Sequence, residues 1–556
     1  MGLFENFPYS NFHELNFGWF LEKFRELINQ WDNFQIDINN DIINAVNQWL
    51  IDHPEATTTV QDHSLSIDKM IIGTLGYVTP EMYGAVGDGA TDDTAAFQAA
   101  LANPNTILLC KNIYNVTGAV EVNSNTTIIG GNFKVDLDVF HADGKNNITI
   151  RNAVFQGQYV GGNATTGDIL LFENCDTVTV ENCTFKNIGS MYCVRFEKSI
   201  NCITIGNYID TYAFSGISHQ NGCSNVLVFF NRVYYGTATN MLNRYPIALS
   251  GGGVWTSDLK QPENLICCFN HVMDVFGLWE GIDSHAGNNI YISNNLVEGT
   301  ASGIVVTRWT TVGSGVPAPT LENVYIKDNV LIGGNQVVVL TASQNGIDVS
   351  NASTSFAKNV HITGNTIKNY GMTVGSGATY GTGISIVYTS DFEIRDNIID
   401  TVGYVGIHVK GLCDSAVISG NRIDNLSKSE TYCIFIVLTP THLIDIRNNL
   451  LGKYSDVYTP FRLYRGSATN ANTGYIHFHD NELGSYSSSL FSHIESTLFD
   501  RYPYSPVNQF YAGKIGDIIT LLNPTSGNPW GWICTVDGST ASPQVKSTWS
   551  AIGTVA

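Results

Sequence analysis

At 556 residues the chain is longer than a single globular core usually covers, so several domains or a one-dimensional repeat are expected. Its 49 acidic against 28 basic side chains leave a net charge of −21, which repels DNA and RNA and excludes a broad phosphate-gripping surface. Charged residues make up only 14% of the chain while Gly reaches 53, a balance that favours strands and turns over helices.

The N-terminus, MGLFENFPYS, lacks the basic start and apolar core of a secretion signal, and no apolar run reaches the roughly eighteen residues of a membrane span. The expectation is a protein made in a cytoplasm, with no membrane insertion and no nucleic-acid partner. From Asn11 to Asp52 there is no proline, and Phe17, Phe20, Phe24, Leu27, Trp31, Phe34 and Ile38 alternate at three- and four-residue steps. Such a seam suits an amphipathic helix lying on a neighbouring domain or a self-associating coiled coil; its narrow aromatic character favours the coiled coil. The helical segment is placed at 1–53, ended by Pro54, and a polar linker at 54–78.

The next segment, MYGAVGDGATDDTAAFQAALANPN, is expected to close one end of a repeat body, with 79–120 as its cap. Gly87 and Gly89 permit the turn, Thr91 is placed as a helix cap, Asp92 and Asp93 in the first turn, and Ala95 to Leu101 in the helix. Asp88, Asp92 and Asp93 could be read as a metal or acid site, but a helix start wants anions, and capping is the stronger reading.

Over 121–499 a short phrase recurs: NITIRNAVF, TVTVENCTF, NVLVFFNRV, NIYISNNLV, NVYIKDNVL, NVHITGNTI, LIDIRNNLL. Its asparagines are Asn132, Asn152, Asn182, Asn207, Asn231, Asn270, Asn295, Asn329, Asn365, Asn397, Asn421, Asn449 and Asn481. Asparagine suits a left-handed turn, and stacked asparagines can bond from rung to rung. A second phrase, Gly-Ile, recurs at Gly216, Gly281, Gly303, Gly383 and Gly406. The unit that accounts for both is a single-stranded, right-handed parallel β-helix, followed by a small β module at 500–556. The 11 cysteines are odd in number and form no CxxC pair, so buried thiols fit better than disulfides or a zinc site.

The cap phrase GAVGDGATDDTAAFQAAL resembles the opening motif of the pectate-lyase-like β-helix proteins, a group that includes bacteriophage tailspikes and appendages. The phrases NFHELNFGWFLEKFRELINQW and WLIDHPEATTTV resemble leaders of appendage proteins from phages of Gram-positive bacteria. GKIGDIITLLNPTSGNPWGWICTVDGS resembles a β module that ends many phage tail proteins. What the resemblance implies is a homotrimer on a virion, assembled in the bacterial host cytoplasm, attached to tail or connector proteins through its N-terminus and meeting a cell-surface polysaccharide or teichoic acid. It supplies no catalytic residue, because active sites differ from member to member.

The repeat is lengthened between Asn231 and Asn270 and between Asn295 and Asn329, and insertions in a solenoid become loops on one face. The first interval carries Arg244, Tyr245, Trp255 and Asp258; the second carries Arg308 and Trp309. Between them, LWEGIDSHAG places Glu280, Asp283 and His285 together, with Asp283 and His285 outward if Ile282 faces the core. These three are the candidate catalytic residues. Trp255 and Trp309 are expected as platforms for sugar rings, with Arg244, Tyr245, Asp258 and Arg308 as substrate contacts.

Two carboxyl groups of different pKa suit glycoside hydrolysis. His285 as base with Arg308 as cation would suit a lyase, and histidine with carboxylates around a metal would suit phosphodiester cleavage. No cofactor is required by the first reading, although a divalent cation would fit the same residues. The bland alternative is a polar outer surface on a binding protein without turnover.

Overall fold

The computed structural model describes residues 76–483 apart from 136, 159–165, 236–243, 275–279, 310, 335–343, 352–355, 372–380, 412–414, 425, 427–431, 438–442, 453–458 and 465–474. It also describes the strands Phe491–His493, Ile518–Thr520, Gly531–Val536 and Thr548–Ile552. The expected N-terminal seam and the linker up to residue 75 lie outside the described residues; Val78, at the linker's end, is buried and bridges to Leu108.

Strands alternating apolar and polar residues wind into a right-handed parallel β-helix. Each regular turn adds two short strands to a broad sheet and one strand to a narrow sheet, which among the described residues have 27 and 14 strands. The turn Ile200–Ile205, Tyr208–Tyr212, Ser215–Gln220 is typical: the first two strands join the broad sheet and the third joins the narrow one. Fourteen rungs at a rise of about 4.8 Å give a body roughly 60 Å long. Inward residues such as Ile282, Ile304, Ile347, Ile384 and Ile407 stack in one fully buried column. The strands Ile518–Thr520, Gly531–Val536 and Thr548–Ile552 form a separate antiparallel sheet.

In the cap the helix is Thr94–Ala100 with Asp93 at its N-cap, so Thr91 does not cap it. Instead Thr91 donates to Asp88, whose Oδ1 also accepts from the Ala90 and Thr91 amides. Asp92 accepts from the Thr94 and Thr117 hydroxyls, and Asp93 from the Val86 amide. The acids fasten the loop to itself and to the first rung.

Ten asparagines, Asn207 to Asn481, line the corner between the two broad-sheet strands, each nearly or fully buried. Asn231 Nδ2 donates to Asn270 Oδ1 at 3.0 Å, and Asn270 in turn to Asn295. The left-handed residue of this corner is the one before the ladder: Gly206, Phe230, Phe269, Asn294, Asp328 and their equivalents. Asn152 and Asn182 occupy that preceding position, and Asn132 pairs with Val154, so these three stand outside the buried ladder.

A second, half-buried ladder runs through Asn201, Asn225, Asn264, Asn289, Asn323 and Asn359, each with φ near +55°. Here the left-handed turn and the stacked amides coincide, as was expected of the first ladder.

Cys110, Cys175, Cys183, Cys193, Cys202, Cys223, Cys267, Cys268 and Cys433 are buried thiols without disulfides. Cys267 and Cys268 point to opposite sides, into the core and into a small apolar cluster on the outer face.

The Gly-Ile phrase starts narrow-sheet strands, yet none of its glycines has positive φ. A Cβ on Gly281 would lie 2.4 Å from Val297 Cγ1 and 2.8 Å from the Gly303 carbonyl oxygen, so the glycine is required by packing. Gly281 and Ile282 therefore both face the core, and the inward-outward alternation slips by one residue. Gly281→Ala is expected to cost about 1–3 kcal/mol by overpacking, read as a lower midpoint in denaturant unfolding.

Candidate active site

The slip at Gly281 positions the site. Without it Glu280 would point into the core; with it Glu280 joins Asp283 and His285 on the outward face of the strand Glu280–His285. The ligand atoms of the three residues all lie within 4.8 Å of one another. His285 Nε2 sits 3.3 Å from Asp283 Oδ2, and the Arg308 carbonyl also accepts a hydrogen bond from the imidazole. The charge of Asp283 is the main cause that raises the His285 pKa to about 9. His285 is thus an imidazolium near neutrality, which corrects the expectation of a free base there.

Burial pushes the Glu280 carboxyl well above the usual range, and the neighbouring Asp283 charge adds to it. Protonated Glu280 shares a hydrogen bond with Asp283. Asp283 is only 3% exposed although its strand position faces outward. Its Oδ1 and the Oε2 of Glu280 are buried without a hydrogen-bond partner.

What encloses the cluster on one side is a clasp made from both expected insertions. Trp255 and Trp309 pack at 5.2 Å between ring centroids over Ala286, the residue after His285. Trp255 Nε1 donates to the Pro317 carbonyl and Trp309 Nε1 to the Gly253 carbonyl. Both rings are about 95% buried, so they are the core of the clasp and not open platforms for sugars. The cause is the short bridge between Trp255 and Val312, which folds the loops on each other.

The other expected contacts divide. Arg244 is buried and its Nε donates to the Ala213 carbonyl, so it holds the loop instead of meeting solvent. Asp258 is exposed and paired with Lys198 at 3.5 Å, on the turn three rungs before the cluster. The Arg308 side chain is exposed at the end of the next strand; its backbone, not its guanidinium, has a contact with His285. Tyr245 opens the preceding narrow-sheet strand, half-buried, in the column that leads to Glu280. Of the residues assigned to sugar contact, it lies nearest the acids by register.

One group was missed. Asp348 occupies the Asp283 column two rungs further, through Asp283, Val305 and Asp348. Burial raises its carboxyl to about 6 although Ser385 and Asn345 donate to it, and its Oδ1 is another buried acceptor without a donor. The signal was present as NGIDVS, aligned with EGIDSH: the same Gly-Ile-Asp in the next but one rung.

Residues 80–135 match the family model described as rhamnogalacturonase A/epimerase, pectate lyase-like. That match covers the cap and the first rungs and agrees with the fold. No curated protein matches the chain. Among solved structures, the chain is similar to PfbA, a surface adhesin of Streptococcus pneumoniae, at 14% identity and TM-score 0.46, covering 63% of this chain and 92% of that one. It is similar to the tailspike protein of E. coli bacteriophage HK620 in complex with pentasaccharide, at 12% identity and TM-score 0.44, covering 67% and 78%. The catalytic unit of a GH87 alpha-1,3-glucanase from Streptomyces thermodiastaticus shares 12% identity at TM-score 0.45, over 77% and 71%.

Proposed function

We propose that the protein hydrolyses a cell-surface glycan, and that it does so as a tailspike or appendage of a phage, which the leader and tail phrases of the sequence suggest. The observation that carries the reading is the proton-sharing pair Glu280 and Asp283 with a third carboxyl, Asp348, two rungs away. Glu280, held protonated, is the group able to protonate a glycosidic oxygen. Asp283 and Asp348 stand two rungs apart, roughly 9–10 Å along the axis, which leaves room beside the acid for the water that a second carboxylate activates in inverting enzymes. Asp348 takes that role, and the products have inverted configuration. The imidazolium of His285 holds Asp283 in place and balances its charge.

The test is to incubate the purified chain with host surface glycan and follow polymer size and anomeric configuration. Binding with no change in size would leave an adhesin on the same scaffold. The three ligand atoms around Glu280 would also accept a divalent cation; cleavage abolished by a chelator and restored by metal would reassign the cluster to metal-assisted chemistry.

The pH profile is set by two carboxyls. The base works ionised, so the rate rises as pH climbs through the Asp348 value of about 6. The acid works protonated, so the rate falls as pH passes the raised Glu280 value. In Asp348→Asn the ascending limb near pH 6 is expected to disappear together with most turnover, measured as the pH dependence of kcat/KM.

A further inference from the structure

The outward face of the narrow sheet leads to the acids through several earlier rungs, and its charges follow a rule. The two basic side chains in the column before Asp283 each stand between two acids. His141 lies 3.0 Å from Glu121 and 2.8 Å from Glu173. Arg195 lies 3.3 Å from Asp168 and 3.7 Å from Glu197. Their registers place them in the column of Asp283: His141, Leu171, Arg195, Ser218, Ala248, Asp283. His285 repeats the arrangement beside Glu280 and Asp283.

Acids thus exceed bases along the approach, and the bases are already engaged. Burial raises the Asp168 carboxyl to about 6 against the pull of Arg195, and Asp138, Glu173 and Glu197 add smaller increments.

A second observation concerns hydrogen-bond sense. Asp283, with a side chain 97% buried, keeps Oδ1 without a donor, and so does Asp348 Oδ1. These atoms are acceptors, so a ligand that completes them must bring N–H or O–H groups. A carboxylate or phosphate brings only acceptors and a like charge; a protonated amine brings three donors and the opposite charge.

We propose that this groove selects glycans whose sugars carry free amino groups, and rejects chains of uronic acid or phosphodiester. The inference rests on the proposed glycan-hydrolysing function and names its substrate class. It removes the teichoic acid and uronate readings for this face.

The experiment titrates the full chain with three oligosaccharides of equal length: glucosamine, N-acetylglucosamine and galacturonate oligomers. At low ionic strength the glucosamine oligomer is expected to bind about tenfold tighter than the acetylated one, with the margin shrinking as salt is added and galacturonate weakest. The pair Glu173→Gln and Glu197→Gln, four and three rungs before the acid–base groups, should narrow that margin. Equal binding of the amino and acetylated forms, tighter binding of galacturonate, or an undiminished margin in the double variant would overturn the proposal. Selectivity without cleavage of any glycan would sink the hydrolase reading and leave this one standing; cleavage of an anionic polymer would do the reverse.

Discussion

In an Asp283→Asn protein, glycan turnover is expected to fall by about two to four orders of magnitude, with binding of the polymer changed only a few-fold. Three effects add. The carboxyl that shares a proton with Glu280 is replaced by an amide, so the main charge that helps hold Glu280 protonated is lost. The ion pair with His285 goes as well, and the imidazole pKa returns from about 9 towards its ordinary range. The amide Nδ2 also presents a donor where the carboxylate accepted from the imidazolium and from protonated Glu280. Single-turnover cleavage with a labelled oligosaccharide separates these chemical losses from binding. Wild-type turnover in Asp283→Asn would remove the assignment of the cluster as catalytic.

A histidine titration gives a companion check on the same pair. Because the folded pKa of His285 lies above its unfolded value, its ion pair contributes fully below the ordinary histidine range and is lost as pH rises through about 9.

The second large effect lies away from the site. Asn295→Ala is expected to destabilise the body by roughly 4 kcal/mol, since it strands several buried groups at once and each costs about 1–3 kcal/mol. Asn295 Nδ2 donates to the Cys267 carbonyl and to Asn329 Oδ1, both at 2.9 Å. Its Oδ1 accepts from the amide and the side chain of Asn270. None of these partners can turn to water in a corner that is almost fully buried. Asn289→Ala, on the half-buried ladder, should cost only about 1 kcal/mol, because water can replace its bonds. Denaturant midpoints and unfolding rates of the two variants measure the difference. Equal losses would mean that burial does not govern the ladder.

The solenoid was legible because its signal is written many times: a two-residue period, a corner asparagine and a Gly-Ile start, each repeated along the body. Glu280, Asp283 and His285 were legible as neighbours in one short stretch. Their geometry was not, because the slip at Gly281 depends on Val297, a contact from another strand. The left-handed corner was assigned to the wrong residue for a related reason. The positions equivalent to Gly206 are filled by glycine, phenylalanine, asparagine or aspartate, with no shared chemistry to notice. The second ladder could have been found, since NCITI, NVLV, NIYI, NVYI and NVHI each begin with it. Asp348 required a strand alignment across a lengthened interval. Trp255 and Trp309 misled because an aromatic ring in a loop reads the same whether it waits for a sugar or for another ring.

Every amide in the buried ladder gives its hydrogen to the next rung and takes one from the rung before, without reversal from Asn207 to Asn481. A partly wound chain therefore always ends on an amide still lacking its forward acceptor, and adding one turn satisfies that amide while creating the next. Winding of this kind propagates like a zipper with a polarity, and a chain cut within the ladder would keep an open, adhesive end.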